Sequence, residues 1–148
     1  MDKLLLKKKD EVGDYLLFLQ EVGEKYSRDQ FTNDPQIYSR SIRFLHVAVE
    51  YLLEAGGYII LMQDNIKFTG YDNLPAVMSE NNIISPDLKD SLQSTVDFRN
   101  LLTDIYMNLD PGLIYDFLEN ISELRQIEDT IITLLEEGVR SDANQIEG

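Results

Sequence analysis

The chain has 148 residues, no cysteine, and 27 acidic against 13 basic residues for a net charge of -14. That length is near the commonest domain size and can enclose one apolar core. The charge excludes general coating of nucleic acid, including DNA, because such affinity rests on phosphate neutralisation; the lack of cysteine and the single His46 exclude a disulfide framework and a thiolate or multi-histidine metal site.

In chain order, Met1 to Lys9 carries three leucines flanked by lysines, a run too short for a signal core and followed by no small-residue cleavage site, so the protein is expected to be cytoplasmic. Leu5, Val12, Leu16, Leu19 and Val22 recur at helical spacing, and the polar Ser27 to Pro35 stretch ends this first helix. A second long helix is predicted from Pro35 to Gln63, with Ile42, Leu45, Val49, Leu52 and Leu53 on its stripe; Gly56-Gly57 either kinks it or admits a neighbouring backbone. Its apolar run from Val47 to Met62 contains Glu50 and Glu54 and so does not read as a membrane span. A short helix follows from about Leu74 to Glu80, closed by Asn81-Asn82, and Ser85-Pro86-Asp87 supplies a cap, a first-turn proline and a dipole-matched acid for the next.

Asp110-Pro111-Gly112 is a strong turn signal, after which Leu113, Phe117, Ile121, Leu124, Ile127, Ile131 and Leu135 mark one last long helix. Gly138 is expected to stop it, leaving residues 139–148 as a flexible acidic tail to a single domain over 1–138. No alternating strand pattern competes. The fold expected is therefore all-α: an up-and-down antiparallel bundle of about four long helices plus one short helix.

The chemistry concentrates in Phe98-Arg99-Asn100-Leu101-Leu102-Thr103-Asp104-Ile105-Tyr106, which sets an arginine, an asparagine, an acid and a tyrosine within about two helical turns. On an ideal helix Phe98, Leu102, Ile105 and Leu109 form one apolar stripe, Arg99, Thr103 and Tyr106 lie along its neighbour, and Asn100 and Asp104 are four apart. The plain structural account is a solvated ledge: Arg99 paired with Asp97 or Asp104, Asn100 bonding locally, and Tyr106 half-burying its ring. Asp104 with Glu119 or Asp110 makes only a set of separated surface acids, so no metal is expected. His46, one turn after Arg43 and six residues after Arg40, satisfies a loose Arg-spacer-His string, but it sits on another helix among apolar neighbours, the usual setting of a packed core histidine.

The motif resembles that of the HepT-type toxins of the HEPN superfamily, in which an Arg-Asn pair is followed after a short spacer by a histidine and, two residues on, a tyrosine. The resemblance extends over roughly Leu4 to Leu135. Arg43 to Ala55 looks like the family's second helix, Tyr71-Asp72-Asn73-Leu74 and Ile83 to Leu88 like its short connecting helix and the entry to the motif helix, and Leu109 to Tyr115 like the lead into its last helix. The resemblance implies a homodimeric, metal-independent and cofactor-free ribonuclease toxin acting on RNA, with tRNA as one candidate target. Its partner would be a minimal nucleotidyltransferase antitoxin of the MNT type, which silences it by attaching AMP to the motif tyrosine.

Carried over residue by residue, Arg99 would polarise the scissile phosphate, Asn100 would bond phosphate or orient Arg99, and Tyr106 would accept AMP, adding charge and bulk in the RNA cleft. Asp104 stands where the family has its catalytic histidine. A carboxylate usually titrates near ~4, is a poor acid at neutral pH and repels phosphate, so cleavage is expected to be lost or lowered by about 10²–10⁴-fold. The alternative is a catalytically silent helical dimer that serves as partner or substrate of the nucleotidyltransferase.

Overall fold

A computed structural model describes residues 2–63, 66, 69–108 and 110–147, with the side chains of Asp2, Thr103 and 138–147 excepted. Among these the chain is helical with no strand, as the apolar spacing predicts. The elements are α1 (Asp2–Lys7), α2 (Lys9–Lys25), α3 (Arg28–Thr32), α4 (Pro35–Leu61), a 3-10 turn (Tyr71–Asn73), α5 (Leu74–Glu80), α6 (Pro86–Asn108), α7 (Pro111–Leu118) and α8 (Ile121–Glu147). The four long helices pack on one another around a single core, with α4 touching α2, α6 and α8.

The predicted stripes are the buried ones, except that Leu113 of α7 is 47% exposed because α7 turns it outward. Val12, Leu16, Leu19 and Val22 of α2, Ile42, Leu45, Val49, Leu52 and Leu53 of α4, Phe98, Leu102 and Ile105 of α6, and Leu124, Ile127, Ile131 and Leu135 of α8 all meet in this core. Leu109, assigned to the α6 stripe, lies outside the described residues, as does the side chain of Thr103. By length and composition α4 is apolar enough to cross a membrane, despite Glu50 and Glu54, which corrects the expectation drawn from those two acids; most of its apolar window is instead covered by the other helices.

Four local expectations change, the first being that the helix predicted over Leu5 to Val22 is two, α1 and α2, parted at Lys8, whose N–H donates three residues back to Leu5 O at 3.2 Å. The polar Ser27 to Pro35 stretch contains a short helix, α3, because Ser27 and Gln30 form a reciprocal capping box and Phe31 drops fully into the core. The last long helix is two: Glu119 and Asn120 close α7 with bonds to Asp116 and Phe117, and Asn120 then accepts the Leu124 N–H to start α8. Gly138 does not stop α8, which runs on to Glu147; a glycine inside a helix costs only about 1 kcal/mol, which is no barrier by itself.

Two connections set the motif helix in place. Asn82 adopts the left-handed conformation (φ 59°) that ends α5, and Ile83 N–H donates back to Met78 O at 2.8 Å while Asn82 N–H donates to Ser79 O at 3.1 Å, the paired bonds of a Schellman ending. Asp110 caps α7, its Oδ1 accepting from Gly112 N–H at 3.1 Å and Leu113 N–H at 3.3 Å. At Gly56 a Cβ would come within 3.3 Å of Leu74 Cδ2, so the glycine admits α5 rather than kinking α4. The 3-10 turn ahead of α5 is thereby held near α6.

Candidate functional site

The polar face of α6 is turned toward α4, and the two helices share a cluster of side chains. Arg99 Nε donates to Glu50 Oε1 at 3.0 Å, and the guanidinium carbon lies 5.2 Å from the centre of the Tyr71 ring in the 3-10 turn. His46 Nε2 is 3.9 Å from the same Glu50 oxygen, one helical turn away. His46 Nδ1 and the Tyr106 hydroxyl share a hydrogen bond of 3.0 Å. Asn100 Nδ2 donates to Asp72 Oδ1 at 3.1 Å.

This geometry corrects the ledge expected from the sequence. Arg99 pairs across to α4 and not with Asp97 or Asp104, and Asn100 bonds across to the 3-10 turn and not locally. Asp97 instead accepts from Gln93 Nε2 one turn earlier at 3.2 Å. His46 is not a core residue: its side chain is 39% exposed and faces the motif tyrosine. Asp104 is exposed, and among the described residues no ion pair or hydrogen bond reaches its carboxylate. Arg99 and Tyr106 thus converge with His46 and Glu50, Asn100 joins Asp72 in the neighbouring 3-10 turn, and Asp104 has no described contact with any of them.

A signal for the missed residues does exist in the sequence. Arg43, His46, Glu50 and Glu54 follow one another at three- and four-residue spacing, a polar stripe on an otherwise apolar helix. Such a stripe has to face solvent or another polar surface, and here it meets α6.

The electrostatics are mixed. Burial pushes the Tyr106 phenol up from its ordinary value, and Arg43 opposes that shift. Burial likewise raises Tyr71, aided by Glu50 and Glu54 and opposed by Arg99. A hollow of about 220 Å³, lined by Lys8, His46, Val47, Glu50, Tyr51 and Glu54, opens beside the cluster. Among the described residues no group of three or more His, Asp or Glu side chains is placed to hold a metal ion. Chemically, the cluster offers an anion-binding fork, an imidazole and a phenol, with one carboxylate linking the fork to the imidazole.

The sequence from residue 12 to residue 134 matches the family described as Ribonuclease HepT-like. The chain belongs to the HepT-like family. The match reaches into all four long helices and includes the whole of α4 and α6 that build the cluster, so the HepT-like assignment and the site rest on the same segments. No curated protein matches the chain.

Proposed function

We propose that this chain is the toxin subunit of a HEPN/MNT toxin-antitoxin pair, a metal-independent endoribonuclease by lineage whose cleavage is weakened by Asp104 and which a partner nucleotidyltransferase neutralises by attaching AMP to Tyr106. The observation that carries it is the convergence of Arg99 and Tyr106 on one exposed cluster within a chain of the ribonuclease family. Arg99 uses only Nε toward Glu50, so the rest of its five-donor fork suits a phosphate of RNA. Tyr106 is 43% exposed, which leaves its hydroxyl within reach of a modifying enzyme.

Homodimerisation is part of the proposal. Leu101, Met107 and Leu113 are exposed beside the motif, Met107 at 79%, and a hollow of about 270 Å³ between α6 and α7 continues this apolar surface. A second copy seated on this surface in a twofold pairing would cover it.

Asp104→His tests the role given to position 104. Cleavage of total cellular RNA in EDTA is expected to rise by about 10²–10⁴-fold over wild type, the usual worth of a general acid–base group, and incubation with the cognate transferase and ATP should add AMP mass to wild type but not to Tyr106→Phe. An Asp104→His chain that neither cuts RNA nor slows growth, while still binding the transferase, would leave the silent-partner alternative standing.

A further inference from the structure

We infer that His46, on α4, is a second source of imidazole for the site and carries the residual RNA cleavage of this chain; the inference rests on the ribonuclease reading given above. The guanidinium of Arg99 and the imidazole of His46 both approach Glu50 Oε1, at 3.0 and 3.9 Å, so the two nitrogens lie at most about 7 Å apart around one shared oxygen. A phosphodiester that displaces the Glu50 carboxylate takes the place of that oxygen and meets both groups together. The hollow beside His46 and Glu50 gives the adjoining ribose room, with Lys8 at its rim.

Tyr106 positions the imidazole. The phenol oxygen lies 3.0 Å from Nδ1 and fixes the ring's orientation; in the reacting tautomer Nδ1 donates its proton to that oxygen, which leaves the Nε2 lone pair facing the Glu50 side, where the RNA would sit. In the reaction Nε2 takes the proton of the 2′-hydroxyl, the 2′-oxygen forms a bond to the adjacent phosphorus, and the bond from phosphorus to the 5′-oxygen breaks. The leaving oxygen takes a proton from water. The products are a 2′,3′-cyclic phosphate and a 5′-hydroxyl end, and His46 returns its proton to solvent.

Among the described residues the charged and titratable groups around His46 are Glu50, Arg43, Tyr51 and Glu54 on its own helix, Tyr106 and Arg99 on α6, and Lys8 ahead of α2. Asp104 is not among its partners.

The test measures new 5′-hydroxyl ends formed from total cellular RNA in EDTA by the full-length wild type, His46→Gln, Asp104→His and the Asp104→His/His46→Gln double variant, across pH. The inference expects a slow wild-type rate that falls by about 10²-fold or more in His46→Gln with loss of the rising limb of the pH profile, while the double variant keeps most of the Asp104→His rate. Circular dichroism of His46→Gln checks that the helices are intact, and the conservative Tyr106→Phe should lower the rate less than His46→Gln. Equal rates for wild type and His46→Gln, or no wild-type cleavage when Asp104→His does cleave, would overturn the role of His46 and leave the family function untouched. Absence of cleavage by every variant would overturn both.

Discussion

Glu50 occupies Arg99 through one nitrogen, and it does so with a negative charge in the site proposed to take RNA. The pair is half-exposed, so its net worth to stability is small, about 0–1 kcal/mol. Its effect on ligand entry is larger in proportion, because a phosphate has to break the pair before it can use the full fork. Glu50→Gln keeps an acceptor for Arg99 while removing the charge. RNA binding measured by fluorescence anisotropy at fixed salt should tighten by about 3–10-fold in this variant, with melting temperature nearly unchanged; weaker binding would show that Glu50 orients Arg99 for RNA and does not compete with it.

At the scale of elements, the site depends on how closely α5 approaches α4. Gly56 faces Leu74 and Met78, with a built Cβ 3.3 Å from one and 3.4 Å from the other, and the turn just before α5 supplies Tyr71 and Asp72 to Arg99 and Asn100. Gly56→Val should lower stability by about 1–3 kcal/mol through overpacking, read by urea unfolding. RNA binding should also weaken, since displacement of α5 moves the 3-10 turn. A variant as stable as wild type would show that α5 is loosely seated.

The same elements show what was legible in the sequence. The long helices were readable because each buries a regular stripe, and the ends of α5 and the start of α7 were readable because Asn81-Asn82 and Asp110-Pro111-Gly112 act within a few residues of themselves. Helix α3 was hidden by its polar composition, since the capping box and one buried Phe31 outweigh it. The break at Glu119-Asn120 was hidden because apolar spacing continues across it. In the site, Arg99, Asn100 and Tyr106 were found through the motif, but their partners were not: Glu50 is 49 residues from Arg99 and His46 is 60 from Tyr106, and pairing at that distance leaves no local mark.

For the molecule as a whole, one buried acid links stability to pH. Glu128 of α8 is 7% exposed, its Oε2 has no hydrogen-bond partner among the described residues, and its Oε1 lies where Gly13 of α2 leaves space. Burial first, then Asp129, pushes its carboxyl from an ordinary 4.5 up to about 7, against the pull of Arg125. A carboxyl raised on folding favours the native state while neutral, so its contribution is complete below about 4.5 and is lost as pH rises through about 7. Glu128→Gln should therefore match wild type near pH 4.5 and exceed it by about 2 kcal/mol at pH 8, measured as the difference between urea unfolding curves of the two proteins. A gap that stays constant with pH would remove Glu128 from this role.

With a whole-molecule charge of -14, the proposed RNA recognition falls to a few local cations, of which Arg99 is the one set in the motif. The most direct measurement is the rate of RNA cleavage in EDTA by the Asp104→His chain with and without Arg99→Ala, both proteins first shown to melt at the same temperature. The expected result is a loss of about 10²-fold or more when the guanidinium is removed; an unchanged rate would place the chemistry of this chain somewhere other than the face shared by α4 and α6.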